Sequence, residues 1–113
     1  NLRISTITIM NSRTSNLYIG NANPNGTSEN LSAATSGSGV SFAAFHADTD
    51  YVVIDVQDNN VLITFDGSAP TASNGHLLVK EQGLIVLSKN AAKGAKFLGS
   101  GGASVIQSTE FVD

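Results

Sequence analysis

The sequence predicts an all-β fold, a single antiparallel β-sandwich of Ig-like or jelly-roll form, and three observations predict it. Short runs of alternating apolar and polar residues recur at roughly ten-residue spacing, the rhythm of sandwiches and barrels. Turn residues, not helical stretches, separate them. Apolar residues make up 41% of the chain and charged ones only 13%, the balance being Ser, Thr, Asn and Gly, which suits exposed β-surface and long turns better than a charged disordered tail. With 113 residues there is room for one core, so residues 1–113 are read as one domain.

The elements follow in order. Residues 2–10, LRISTITIM, are rich in β-branched side chains, but Leu2 and Ile4 fall on one face and Ile7 and Ile9 on the other. A bulge near Ser5 and Thr6 reconciles the two phases; the alternative is an edge strand or arm that leaves its own core and packs on a neighbouring subunit. Residues 16–20 supply a short strand with Leu17 and Ile19 opposite Tyr18. Residues 21–39 show almost no apolar periodicity and read as a long loop, with turns at Asn23-Pro24 and Asn25-Gly26 and with Leu31, Ala33 and Ala34 to pack it down. Loops of this length in compact domains are usually functional or mobile. The acceptor triplets at Asn25 and Asn30 are expected by chance in a chain so rich in Asn, Ser and Thr. Residues 40–45, VSFAAF, alternate and predict a strand entering the core.

The stretch 51–87 carries the clearest pattern. Val52, Ile54 and Val56 alternate with Tyr51, Val53, Asp55 and Gln57; Asp58, Asn59 and Asn60 break the run, and Val61, Ile63 and Phe65 resume it. Asn and Asp tolerate left-handed backbone values, so the two runs are predicted to form an antiparallel hairpin. Asp66-Gly67-Ser68-Ala69-Pro70-Thr71 is turn sequence. Runs at 76–79 and 84–87 extend the meander. Residues 88–93 fit one helical turn capped by Ser88 or Asn90, residues 96–98 a short strand, residues 99–102 a turn, and residues 103–111 a strand that closes the sheet, with Val105 opposite in phase to Ile106.

Two resemblances attach to these residues. The segment VLITFDGSAPT, residues 61–71, resembles the "YTLDGSxPT" signature of small Ig-like β-sandwich modules, including those at the C-terminal end of chitobiase-type enzymes. The longer stretch YVVIDVQDNNVLITFDGSAPTASNGHLLVKEQG resembles a group of small tailed-phage virion proteins. In these, a strand ending in a polar Asp/Asn-rich turn leads into "R/LFTLDGTxPTAS.G..L", a Gly turn and another strand. The second resemblance implies a non-enzymatic structural protein of a tailed-phage virion, in the first instance a capsid decoration or cement protein. It would bind the outer surface of the major capsid protein lattice, stabilise it, and self-associate as a trimer. A neck, tail or fibre-associated protein is the alternative within the virion, and a carbohydrate-binding Ig-like module the alternative outside it. Leu2, Ile4, Ile7 and Ile9 are expected to meet the partner by strand addition, with Tyr18, Asn25 and Leu31 as further contacts.

Other functions find little support. The net charge is −3 and the basic residues are scattered, which argues against a nucleic-acid face, because phosphate contacts need clustered Lys and Arg. Without cysteine there is neither a disulfide framework nor a thiolate metal site. No run reaches the roughly 18 apolar residues of a membrane span, and the N-terminus lacks a charged-then-apolar signal. A metal site would have to be assembled by the fold from His46 and His76 with Asp48, Asp50 or Asp66, and turn-borne residues of these types are more often solvated. Asp55 and Asp58 do not complete a calcium loop. The Gly-Ser clusters at 37–39 and 99–102 lack the strand-turn-helix setting of a nucleophile elbow and the Lys-Ser/Thr ending of a phosphate loop. Neither enzyme chemistry nor a cofactor is expected. Tyr18 and Tyr51 are the amphipathic choices for a sugar platform, whereas most of the aromatic set, which includes Phe42, Phe45, Phe65, Phe97 and Phe111, is expected in the core.

Overall fold

Alternation decides which side of each strand meets the core, and in the computed structural model, which describes residues 20–113, it does so on two facing sheets. The described residues form β1 (Asn21–Ala22), β2 (Ser28–Ala33), β3 (Tyr51–Gln57), β4 (Asn60–Thr64), β5 (His76–Leu78), β6 (Ile85–Ser88), α1 (Lys89–Lys93), β7 (Lys96–Ser100) and β8 (Ser104–Val112). In the larger sheet β8 lies at the centre. β3 and then β6 flank it on one side, and β1 and β2 pair along it on the other. The smaller sheet runs β5-β4-β7, and every pairing is antiparallel. The architecture is the predicted antiparallel β-sandwich.

The core between the sheets takes Leu31 and Ala33 from β2, Val52, Ile54 and Val56 from β3, Val61 and Ile63 from β4, Leu87 from β6, Phe97 from β7 and Ile106 from β8, with Ala92 of α1 and Ala95 beside it. Phe97 is fully buried, and Phe42 meets its ring edge-on with centroids 5.3 Å apart. β3 is apolar on both faces because both are covered. Its other face sets Tyr51 and Val53 against Phe111 and Val86, with Tyr51 and Phe111 stacked at 5.4 Å. Burial on both sides explains why the sequence there reads YVVI and not a strict alternation.

The order of strands differs from the meander read in the sequence. β3 and β4 are not a hairpin: β3 has β8 on one edge and β6 on the other, so no edge is left for β4, which starts the second sheet. Asp58, at φ 76°, makes the corner. Its positive φ suits a sheet-switching corner as well as a hairpin turn, and the polar triplet does not distinguish them. The return crossing from β7 to β8 is tied to this corner. The Ser104 hydroxyl lies 2.7 Å from the Gln57 carbonyl and 2.6 Å from that of Asn59, and the Asn59 side chain donates through Nδ2 to the Ala103 carbonyl at 2.9 Å. Among the described strands only β4 and β5 are consecutive neighbours, and β6 returns to the larger sheet.

Two further expectations are corrected. Residues 21–39 are not one long loop: β1 and β2 lie there, joined by the Asn23 turn, where the Gly26 amide donates to the Asn23 carbonyl at 2.9 Å. The strand is hidden in the sequence because every second residue of β2 faces water and is polar, leaving only Leu31 and Ala33 to mark the core face. Residues 40–45 are not a strand. They make one bridge, Val40 to Phe97, and Phe42 and Phe45 then pack onto the core from irregular backbone. The helical turn forms with the Ser88 cap, whose hydroxyl accepts from the Ala91 amide at 3.1 Å.

Candidate functional site

Register places the first surface of interest. Val61 and Ile63 point inward, so Leu62 points outward, and its cross-strand partners are Leu77 on β5 and Leu98 on β7. A row of leucines therefore crosses the whole smaller sheet on its outer face. Leu62 and Leu98 are half-buried, while Leu77 is 54% exposed and Val79, two positions on, 48%. β5 pairs with β4 on one edge, and no other described strand pairs with its second edge. The row is flanked by polar pairs, Thr64 with Lys96 and Asn60 with Ser100.

The second feature is the turn after β4. Asp66 Oδ1 accepts from the Ser68 amide at 3.0 Å and from its hydroxyl at 2.6 Å, and these bonds hold the carboxyl below its ordinary value of 3.8. The Thr64 hydroxyl donates to the Ser68 carbonyl, and Thr71 and Asn74 exchange backbone bonds at 2.9 and 3.2 Å. The Gly67 amide donates to the Gly94 carbonyl at 2.9 Å. Gly94 lies so close that a Cβ there would stand 2.1 Å from the Phe65 carbonyl oxygen, so only glycine fits. The turn is fixed from both sides. Phe65 emerges from it 42% exposed, its ring 6.0 Å from that of His76. Ile63, Phe65, Asp66, Ser73, Asn74 and His76 help to line a groove of about 400 Å³ there.

A third cluster is internal. Glu110 on β8 is buried, and four donors converge on its carboxylate: the Thr27 amide and hydroxyl, the Thr49 hydroxyl and the His46 amide. Burial raises the carboxyl's pKa, but the bonds from Thr49, Thr27 and the His46 amide outweigh it and hold the group below its ordinary 4.5. With its lone pairs filled by neutral donors, this carboxylate ties two loops to β8 and offers nothing to a substrate.

The residues expected at a partner surface separate. Leu2, Ile4, Ile7, Ile9 and Tyr18 lie outside the described residues. Asn25 is exposed on the turn before β2, its amide bonded to Asn23 Oδ1 at 2.9 Å. Leu31 sits in the core opposite Ile106, because it falls on the inward phase of β2, and it is unavailable as a contact. Tyr51 is 8% exposed and stacked on Phe111, so it is no sugar platform. Among the described residues no group of three or more His, Asp or Glu comes together as a metal site. The exposed surfaces were missed for one reason. Phe65 is in phase with Val61 and Ile63, but β4 ends at Thr64 and the ring falls past the strand. The one available signal for the leucine row was a leucine in the outward phase between two inward residues. No family model, no curated protein and no solved structure matches the chain.

Proposed function

We propose that the chain is a structural protein of a tailed-phage virion that decorates the outside of the head by docking on the major capsid protein lattice. The observation that supports this reading best is the outward leucine row of Leu62, Leu77 and Leu98, beside the edge of β5 that no described strand pairs. Apolar side chains aligned across a sheet, next to a strand edge that no described strand pairs, suit association with another protein surface. The resemblance of residues 51–83 to small virion proteins supplies the setting. A ligand that binds only the assembled lattice stabilises it by mass action, opposing the pressure of packaged DNA. Self-association as a trimer belongs to the same proposal, since lattice sites of that kind lie at threefold positions.

The test compares complete heads with heads stripped of the chain. Stripped heads should release DNA at a lower temperature, and adding the chain back should restore the original value. Equal resistance of both to heat and low salt would remove the decoration reading.

A further inference from the structure

We infer that the groove at Phe65 and His76 binds a neutral glycan. The docking face lies on the flat of the smaller sheet, whereas this groove sits at the end of β4 and is built from the turn that follows it. Among the described aromatic rings Tyr51, Phe97 and Phe111 are buried and Phe42 and Phe45 half-buried, whereas Phe65 is 42% exposed on a fixed backbone. Gly94 packs on the Phe65 carbonyl, and the Gly67 amide is bonded to Gly94. The ring is therefore presented at little entropic cost on binding.

Its surroundings define the ligand. Phe65 and His76, inclined at 43°, supply aromatic surface, while Asp66, Ser73 and Asn74 supply polar groups along the same groove. Asp66 Oδ2 accepts nothing from another described residue, and the His76 ring nitrogens make no hydrogen bond within the described protein. A pyranose matches this arrangement. Its axial C–H bonds carry slight positive charge and stack on the negative face of an aromatic ring, and its hydroxyls both donate and accept. The carboxylate selects against anions, since Asp66 is held ionised by Ser68 and no Lys or Arg is among the described residues that line the groove. That disfavours sialylated or sulfated sugars, and equally a nucleotide, whose base would stack but whose phosphate would be repelled. A volume of about 400 Å³ holds one or two sugar rings.

The experiment titrates the purified chain with oligosaccharides ending in glucose, mannose, galactose or N-acetylglucosamine, with sialylated and sulfated oligosaccharides alongside. At least one neutral sugar should bind and shift the His76 ring resonances. Phe65→Ala and Asp66→Asn should each weaken it by about tenfold or more, and Leu77→Asp should bind as the parent does, which separates this site from capsid docking. If Phe65→Ala fails to fold, Asn74→Ala and the His76 resonances decide. Absence of neutral-sugar binding at millimolar concentration, preference for anionic sugars, or affinity unchanged in Phe65→Ala or, failing that variant, in Asn74→Ala would overturn the inference.

Discussion

The Thr49 hydroxyl donates to the buried carboxylate of Glu110 at 2.5 Å across sixty-one positions of sequence. Through that bond the turn before β3 is fastened to the central strand of the larger sheet. The Asn23 side chain donates in turn to Thr49 Oγ1 at 3.0 Å, so the β1–β2 turn joins the same network. Thr49→Val keeps the shape and removes the hydroxyl, leaving the carboxylate short of one donor and Asn23 without its acceptor. The substitution should cost about 1–3 kcal/mol, read by urea unfolding monitored through circular dichroism.

The same carboxylate sets a pH dependence. Because hydrogen bonding holds Glu110 below its ordinary 4.5 in the folded chain, the unfolded chain binds the proton first as acid is added. The contribution is complete above pH 4.5 and declines as pH falls through the folded-state value. Melting temperature should drop below pH 4.5, and Glu110→Gln should flatten that part of the profile while lowering stability at neutral pH. An unchanged acid limb in Glu110→Gln would place the dependence elsewhere.

Gly94→Ala tests the fixed turn. Its Cβ would fall 2.1 Å from the Phe65 carbonyl oxygen, a backbone atom that cannot rotate away. The turn must move, at about 1–3 kcal/mol as for other overpacking substitutions. Thermal unfolding gives the loss, and displaced Phe65 and His76 ring resonances would show that it is local.

Leu77→Asp tests the docking face. With the side chain 54% exposed, stability should change by no more than about 0.5 kcal/mol. Binding to stripped heads should fall sharply, because a charge would be buried against the lattice. Undiminished binding would remove the leucine row from the interface.

Much of the sandwich was legible because strand alternation is a local property. Val52, Ile54 and Val56 announced β3, Ser88 and Asn90 were the two choices for the cap of α1, of which Ser88 serves, and the Gly-rich stretch before Ser104 announced the last turn. Which strands pair is not local. β3 and β4 sit two residues apart in sequence and in different sheets, because β8, almost at the chain's end, occupies the edge a hairpin would have used. β2 was unreadable for a related reason: its polar outer face, including Ser28 and Asn30, is satisfied by Thr109 and Gln107 of β8 and not by neighbours in sequence. The site fared worse than the fold. Exposure of Phe65 depends on where β4 stops, and the leucine row depends on a register shared by β4, β5 and β7.

The most direct measurement is an electron cryomicroscopy reconstruction of the particle that carries the chain. The sandwich is expected on the outer surface of the head, with Leu62, Leu77 and Leu98 turned toward the capsid shell. A chain found away from the head, or seated with that face in solvent and the opposite sheet against the shell, would contradict it.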